Sequence, residues 1–183
     1  MAKSQSSKSF TFQRILKAFF QDKLEYVLFT DLSDVEFIKN PFVLMEQMDS
    51  ATNQDLLYVG SEYRPFSKVI VRSETFSRNA TKMDYFRGLW TACFGSEMPA
   101  EYLAGTLWNS GIIGGKSKVV LRFLESIVRN LELADARNNC NMAAMWKSIC
   151  EDWNENVVTG FPLHSKFNHK DPANQARVFI RHK

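Results

Sequence analysis

YVLFTDLSDVEF, residues 26–37, decides how the rest of the chain is read. Four apolar residues, Tyr26 to Phe29, run directly into two aspartates, Asp31 and Asp34. The apolar run does not alternate, which predicts a strand covered on both faces, as in a parallel sheet between helix layers. Carboxylates at the end of such a strand are expensive to bury unpaired, so they need a partner. In open α/β sheets ligands bind outside the carboxyl ends of the strands, and this is where Asp31 and Asp34 fall. A divalent cation relieves their mutual repulsion, and hard oxygen ligands suit Mg²⁺ or Mn²⁺. A solvated turn or a helix cap is the plainer use of the same residues. Ser33 stands where an aspartyl-nucleophile phosphatase would carry its second aspartate, which disfavours a phosphoaspartate mechanism.

Outward from this stretch, strand-like and helix-like segments alternate. Phe12, Ile15, Leu16, Phe19 and Phe20 lie on one helical face ahead of it. Behind it, Asn40-Pro41 reads as an N-cap with proline at the first helical position, opening a helix through about Met48. Leu56 to Val59 and Val69 to Val71 are further short apolar runs. Met83, Phe86, Trp90, Cys93 and Phe94 have helical spacing. Leu107 to Ile113 is strand-like, interrupted by WNSG and closed by Gly114-Gly115. Helices are predicted over Val120 to Leu131 and over Met142 to Trp153, and a last strand over Val178 to Ile180. The pattern predicts one α/β domain over residues 10–183, with a mostly parallel central sheet flanked by helices, after a disordered tail at residues 1–9.

The chain has 183 residues, enough for one domain with a substantial core. Its net charge of +3 comes from scattered residues, with no basic tract of the kind that binds nucleic acid. No segment has the length and apolarity of a transmembrane helix, and MAKSQSSKSF lacks the apolar core of a signal peptide. Three cysteines, Cys93, Cys140 and Cys150, without paired spacing argue against a disulfide framework and fit a reducing compartment. A cytoplasmic protein is expected.

The segment FTDLSDVEFIKNPF resembles the acidic-motif region of nucleotide-sugar-dependent glycosyltransferases with the GT-A fold. LLYVGSE (56–62), LWNSGIIGG (107–115), VTGFPLHSKF (158–167) and VFIRHK (178–183) resemble later segments of such enzymes, in the same order. The resemblance spans about residues 10–183. It implies transfer of a sugar from a nucleotide diphosphate sugar to the hydroxyl of a glycan or other acceptor, with Mn²⁺ or Mg²⁺ as cofactor. By the same resemblance, Asp34 is the direct metal ligand and Asp31 binds the ion through water or holds the ribose. His182 completes the metal shell and Lys183 touches the diphosphate. Asn109, Ser110 and Gly111 line the sugar or acceptor side. Arg64, in SEYRPF, is a candidate phosphate partner. Asp135 is the candidate catalytic base, because asparagines occupy the start of the following helix, where an acid is usual. His164 and His169 read as solvated residues of a polar loop.

Two features depart from the family pattern. Two residues separate Asp31 from Asp34, where one is usual. Only one helix fits before Tyr26, so the base-binding portion is expected either to be missing from this chain or to come from another segment or chain. The rival expectations are a truncated or degenerate transferase-like binding domain without catalysis and, third, a metal-dependent phosphate-ester hydrolase.

Overall fold

A computed structural model describes residues 14, 17, 24–31, 35–61, 82–103, 108–135, 140–153, 155–166 and 177–182, with the backbone alone at 82, 83, 101, 103, 165, 166 and 182. The strands are β1 (Tyr26–Thr30), β2 (Val35–Phe37), β3 (Leu57–Ser61), β4 (Trp108–Lys116), β5 (Val157–Val158), β6 (His164–Lys166) and β7 (Ile180–His182). The helices are α1 (Pro41–Thr52), α2 (Lys82–Phe94), α3 (Ala100–Leu103), α4 (Ser117–Leu133) and α5 (Asn141–Ser148), the last running on as a π-helical turn, Ile149–Trp153. The amphipathic segment predicted before Tyr26 and the run Val69 to Val71 lie outside the described residues.

The chain is mixed α/β. One sheet has the order β1-β4-β3-β5 and a second the order β2-β7-β6. The expected predominance of parallel pairing is corrected here. β4 is antiparallel to both β1 and β3, β2 is antiparallel to β7, and only β3–β5 and β6–β7 are parallel. Apolar runs report burial on two faces and carry no information on strand direction. β1, β3 and β5 nevertheless point the same way, with β4 reversed between them.

Alternation assigns each face of the first sheet to its own core. Leu57, Val59, Val27 and Ile113 join the cluster under α4 and α5, built around Val120, Phe123, Leu124 and Trp146. Tyr58 and Ile112 face the other way, onto Leu44 and Met45 of α1, onto Leu163 just before β6, and onto Ile180 of the second sheet. β1 serves both cores, as its unbroken apolar run implies, but it ends the sheet and only Val27 is fully buried. β3, enclosed on both faces, is buried throughout. The glycines expected to close β4 are instead part of it. A side chain at Gly114 would meet Leu28 Cδ1 at 2.7 Å and Met45 Cε at 2.8 Å, so β1 and α1 close onto bare backbone there.

The helix opened at Asn40 matches its signals: the Asn40 side chain accepts the Phe42 amide at 3.0 Å and Pro41 sits in the first turn. It runs past the expected end at Met48 and stops at Asn53 in the left-handed conformation. The C-terminal strand falls two residues later than predicted, at Ile180–His182, because pairing with β2 and β6 decides its bounds.

The cysteine reading is corrected outright. Cys93 of α2 and Cys140, before α5, form a disulfide across a sequence separation of 47. Both are buried beside Leu89, Phe94 and Leu131, and Cys150, half-buried, lies outside the disulfide. Spacing along the chain gave no sign of the pair, because helix packing brings the two together.

At the edge formed by the start of β1 and the end of β4, Asp49 is buried and accepts from Tyr26 Oη at 3.0 Å and Tyr58 Oη at 2.9 Å. Burial first, and then the bond to Asp49, pushes both phenols well above the ordinary tyrosine range. Lys116 lies 3.8 Å from Asp49 and 3.2 Å from Asp55. This network locks α1 to the sheet at the edge away from the carboxyl ends.

Candidate functional site

With β1, β3 and β5 running together, their carboxyl ends and the amino end of β4 share one edge of the sheet. Asp31, Ser61, Thr159-Gly160 and the Asn109–Gly111 segment gather there. The β3–β4 ladder is broken at this point: Val59 pairs with Ile113, but Gly60 pairs with Asn109. One step on β3 thus answers four on β4, and the residues between bulge out of that pairing. Asn109 Oδ1 accepts the Gly111 amide at 2.6 Å, a local turn that holds the bulge. The Gly111 carbonyl in turn accepts the Asp31 amide at 3.1 Å. A side chain at Gly60 would meet the Asn109 carbonyl at 3.0 Å, tighter than ordinary contact, so the absence of a Cβ eases this approach. Behind the bulge, Trp146 Nε1 donates to the Trp108 carbonyl at 3.2 Å and fixes the start of β4 to α5.

Asp31, Asn109, Ser110 and Gly111 are therefore brought together, through backbone bonds that a sequence does not display. Asn109-Ser110-Gly111 is a bulge within one strand. Asp135 is placed elsewhere: its amide donates to the Cys93 carbonyl at 2.8 Å, which anchors it beside the disulfide. His182 is in β7, directly opposite Val35 of β2. Asp34 immediately precedes Val35 in the chain and lies outside the described residues, as do Arg64, Lys183 and the His182 side chain.

One residue of the site escaped the sequence reading. His164, expected in a solvated loop, is fully buried. Its Nε2 accepts the Ser61 amide at 2.8 Å and lies 3.2 Å from Ser61 Oγ. The ring proton therefore sits on Nδ1. Its own amide donates to the Gly160 carbonyl at 2.9 Å, where Gly160 has a positive φ of 70°. Nothing in FPLHSKF signals this, since a single histidine among polar residues carries no burial pattern.

Among the described residues no three His, Cys, Asp or Glu side chains converge to hold a metal. Of the expected ligand set, only the Asp31 side chain is described. The set itself, two carboxylates and an imidazole, suits Mn²⁺ or Mg²⁺.

The sequence matches no family model and no curated protein at a significant level. Among the described residues, no helix is long and apolar enough to cross a membrane.

Proposed function

We propose that this chain is a GT-A-type glycosyltransferase domain that moves a sugar from a nucleotide diphosphate sugar to the hydroxyl of a glycan or other acceptor. The observation that carries this reading is the hydrogen bond from Asp31 to Gly111, which joins the acidic strand end to the Asn109 bulge on one sheet edge. A transferase needs the leaving diphosphate and the sugar held side by side, and this edge joins the backbone of an acidic residue to that of a polar bulge. Asp31, Asp34 and His182 would hold Mn²⁺ or Mg²⁺, which when bound supplies Lewis-acid stabilisation of the leaving diphosphate. Lys183 and Arg64 would offset its remaining charge. Asn109, Ser110 and Gly111 would orient the sugar or the acceptor. The base role expected for Asp135 requires the acceptor to reach the end of α4 that lies beside the Cys93–Cys140 disulfide.

The cytoplasmic placement rested partly on reduced cysteines. The Cys93–Cys140 bond removes that support and favours an oxidising compartment.

Calorimetric titration with UDP and with GDP, each with and without Mn²⁺, tests the reading. Binding that requires the metal and is lost in both Asp31→Ala and Asp34→Ala is the expected result. A folded protein that binds neither nucleotide overturns it and leaves a transferase-like domain without this chemistry.

A further inference from the structure

We propose that His164 is a positioning residue: it sets the strand carrying His182 against the sheet edge carrying Asp31 and Asn109. The inference rests on the transferase reading and adds to it the device that keeps the two halves of the site in register. The halves belong to different sheets. Asp31 and the Asn109 bulge are in the first, whereas His182 is in the second, between β2 and β6.

His164 bridges them from within the core. It stands in β6 opposite Ile180, two residues before Lys166, which pairs with His182. Its side chain crosses to the first sheet and takes the Ser61 amide at 2.8 Å. Ser61 pairs with Trp108, and its neighbour Gly60 pairs with Asn109. The path from the ring to the bulge is therefore two ladder steps, and the path to His182 is two residues along β6 and one across. Both bonding partners are shielded from water, with His164 fully buried and Ser61 only 4% exposed. Water cannot replace the bond, so a side chain without an acceptor in this place leaves the Ser61 amide unmet and the sheets free to shift. The acceptor must reach as far as Nε2. Glutamine Oε1 lies the same number of bonds from the backbone, asparagine Oδ1 lies one bond short, and leucine has no acceptor.

The test measures Mn²⁺-dependent nucleotide affinity, with UDP and GDP, in the full chain for the wild type, His164→Leu, His164→Asn and His164→Gln. Asn130→Ala serves as the stability control, because Asn130 is buried and bonds Ser148 at 2.9 Å between α4 and α5. The expected result is a loss of at least about tenfold in affinity for His164→Leu and His164→Asn, as for other residues that orient ligands through a neighbour. His164→Gln is expected within about threefold of the wild type, and Asn130→Ala to melt earlier with unchanged affinity. Should His164→Leu not fold, His164→Asn against His164→Gln decides alone. A wild type that binds, with His164→Leu or His164→Asn binding equally well, overturns this inference and leaves the transferase reading standing. Glutamine binding as weakly as asparagine also overturns it. A folded wild type that binds no nucleotide overturns both.

Discussion

Breaking the Cys93–Cys140 bond should cost this protein a large share of its stability. The bond closes a loop with a sequence separation of 47. In the chain-entropy treatment, a loop of that length removes about 4 kcal/mol of freedom from the unfolded chain. For a chain of this size, 4 kcal/mol corresponds to a fall in Tm of about 8–16 °C. Local structure supports the native geometry without the bond, since the Asp135 amide still reaches the Cys93 carbonyl and apolar side chains surround both sulfurs. Folding should therefore survive the double variant Cys93→Ala/Cys140→Ala, with a lower midpoint. The assay pairs thiol alkylation and mass measurement with urea unfolding, in oxidised and reduced protein. Oxidised protein should carry one label under denaturing conditions, on Cys150, and reduced protein three, matching the three cysteines of the chain. The double variant should unfold near the reduced wild type, while Cys150→Ala should keep the sensitivity to reductant. Three labels on protein purified under oxidising conditions, or a midpoint indifferent to reductant, would show that the bond does not stabilise the fold and restore the case for a reducing compartment.

Three other perturbations have defined outcomes. Tyr58→Phe removes a fully buried hydroxyl that donates to Asp49 at 2.9 Å, with the Met45 carbonyl 3.1 Å away, and should cost about 2–3 kcal/mol in urea unfolding, as expected for a bond to a charged group. Tyr26→Phe, half-buried and with Asp49 as its hydroxyl's one bond in this network, should cost about 1 kcal/mol, and a reversed order would discredit the account of the Asp49 network. Gly115→Ala places a Cβ 2.8 Å from the Leu56 carbonyl at a φ of 142° and should cost about 2 kcal/mol or more. Gly95→Ala, with open space at a φ of 67°, should cost about 1 kcal/mol, so equal melting of the two would contradict the close approach of Gly115 to the Leu56 carbonyl. Asp55 is held below the ordinary carboxylate range by the Lys118 ammonium and then Lys116. Its contribution is therefore present above about 3.8, the unfolded value, and is lost as pH falls from there through the lower folded value. Asp55→Asn should flatten that part of the acid-unfolding curve, by a small amount because the side chain is one-third exposed. A curve parallel to the wild type below that pH would show the ion pairs to be idle.

Most element identities and the two-faced burial of the central strands are legible in consecutive residues. Leu56 to Val59 reads as a strand because its apolar residues are continuous, and continuity is what a strand between two cores requires. Asn40-Pro41 marked a helix start because capping is local chemistry. The acids after Tyr26–Phe29 were visible as a site candidate because they interrupt that pattern. Strand direction was not legible, since Trp108–Lys116 has the same apolar character whichever way it runs. Nor was the Cys93–Cys140 bond, whose partners meet only when α2 packs beside α5. His164 was misread for the same reason. Its burial comes from Ser61, 103 residues earlier, and from the stacking of one sheet on another. Local periodicity is written in consecutive residues, whereas register, direction and cross-sheet contacts are pairings between distant ones. The tertiary structure alone could decide that Asp31 touches the Asn109 bulge and that His182 faces the residue after Asp34.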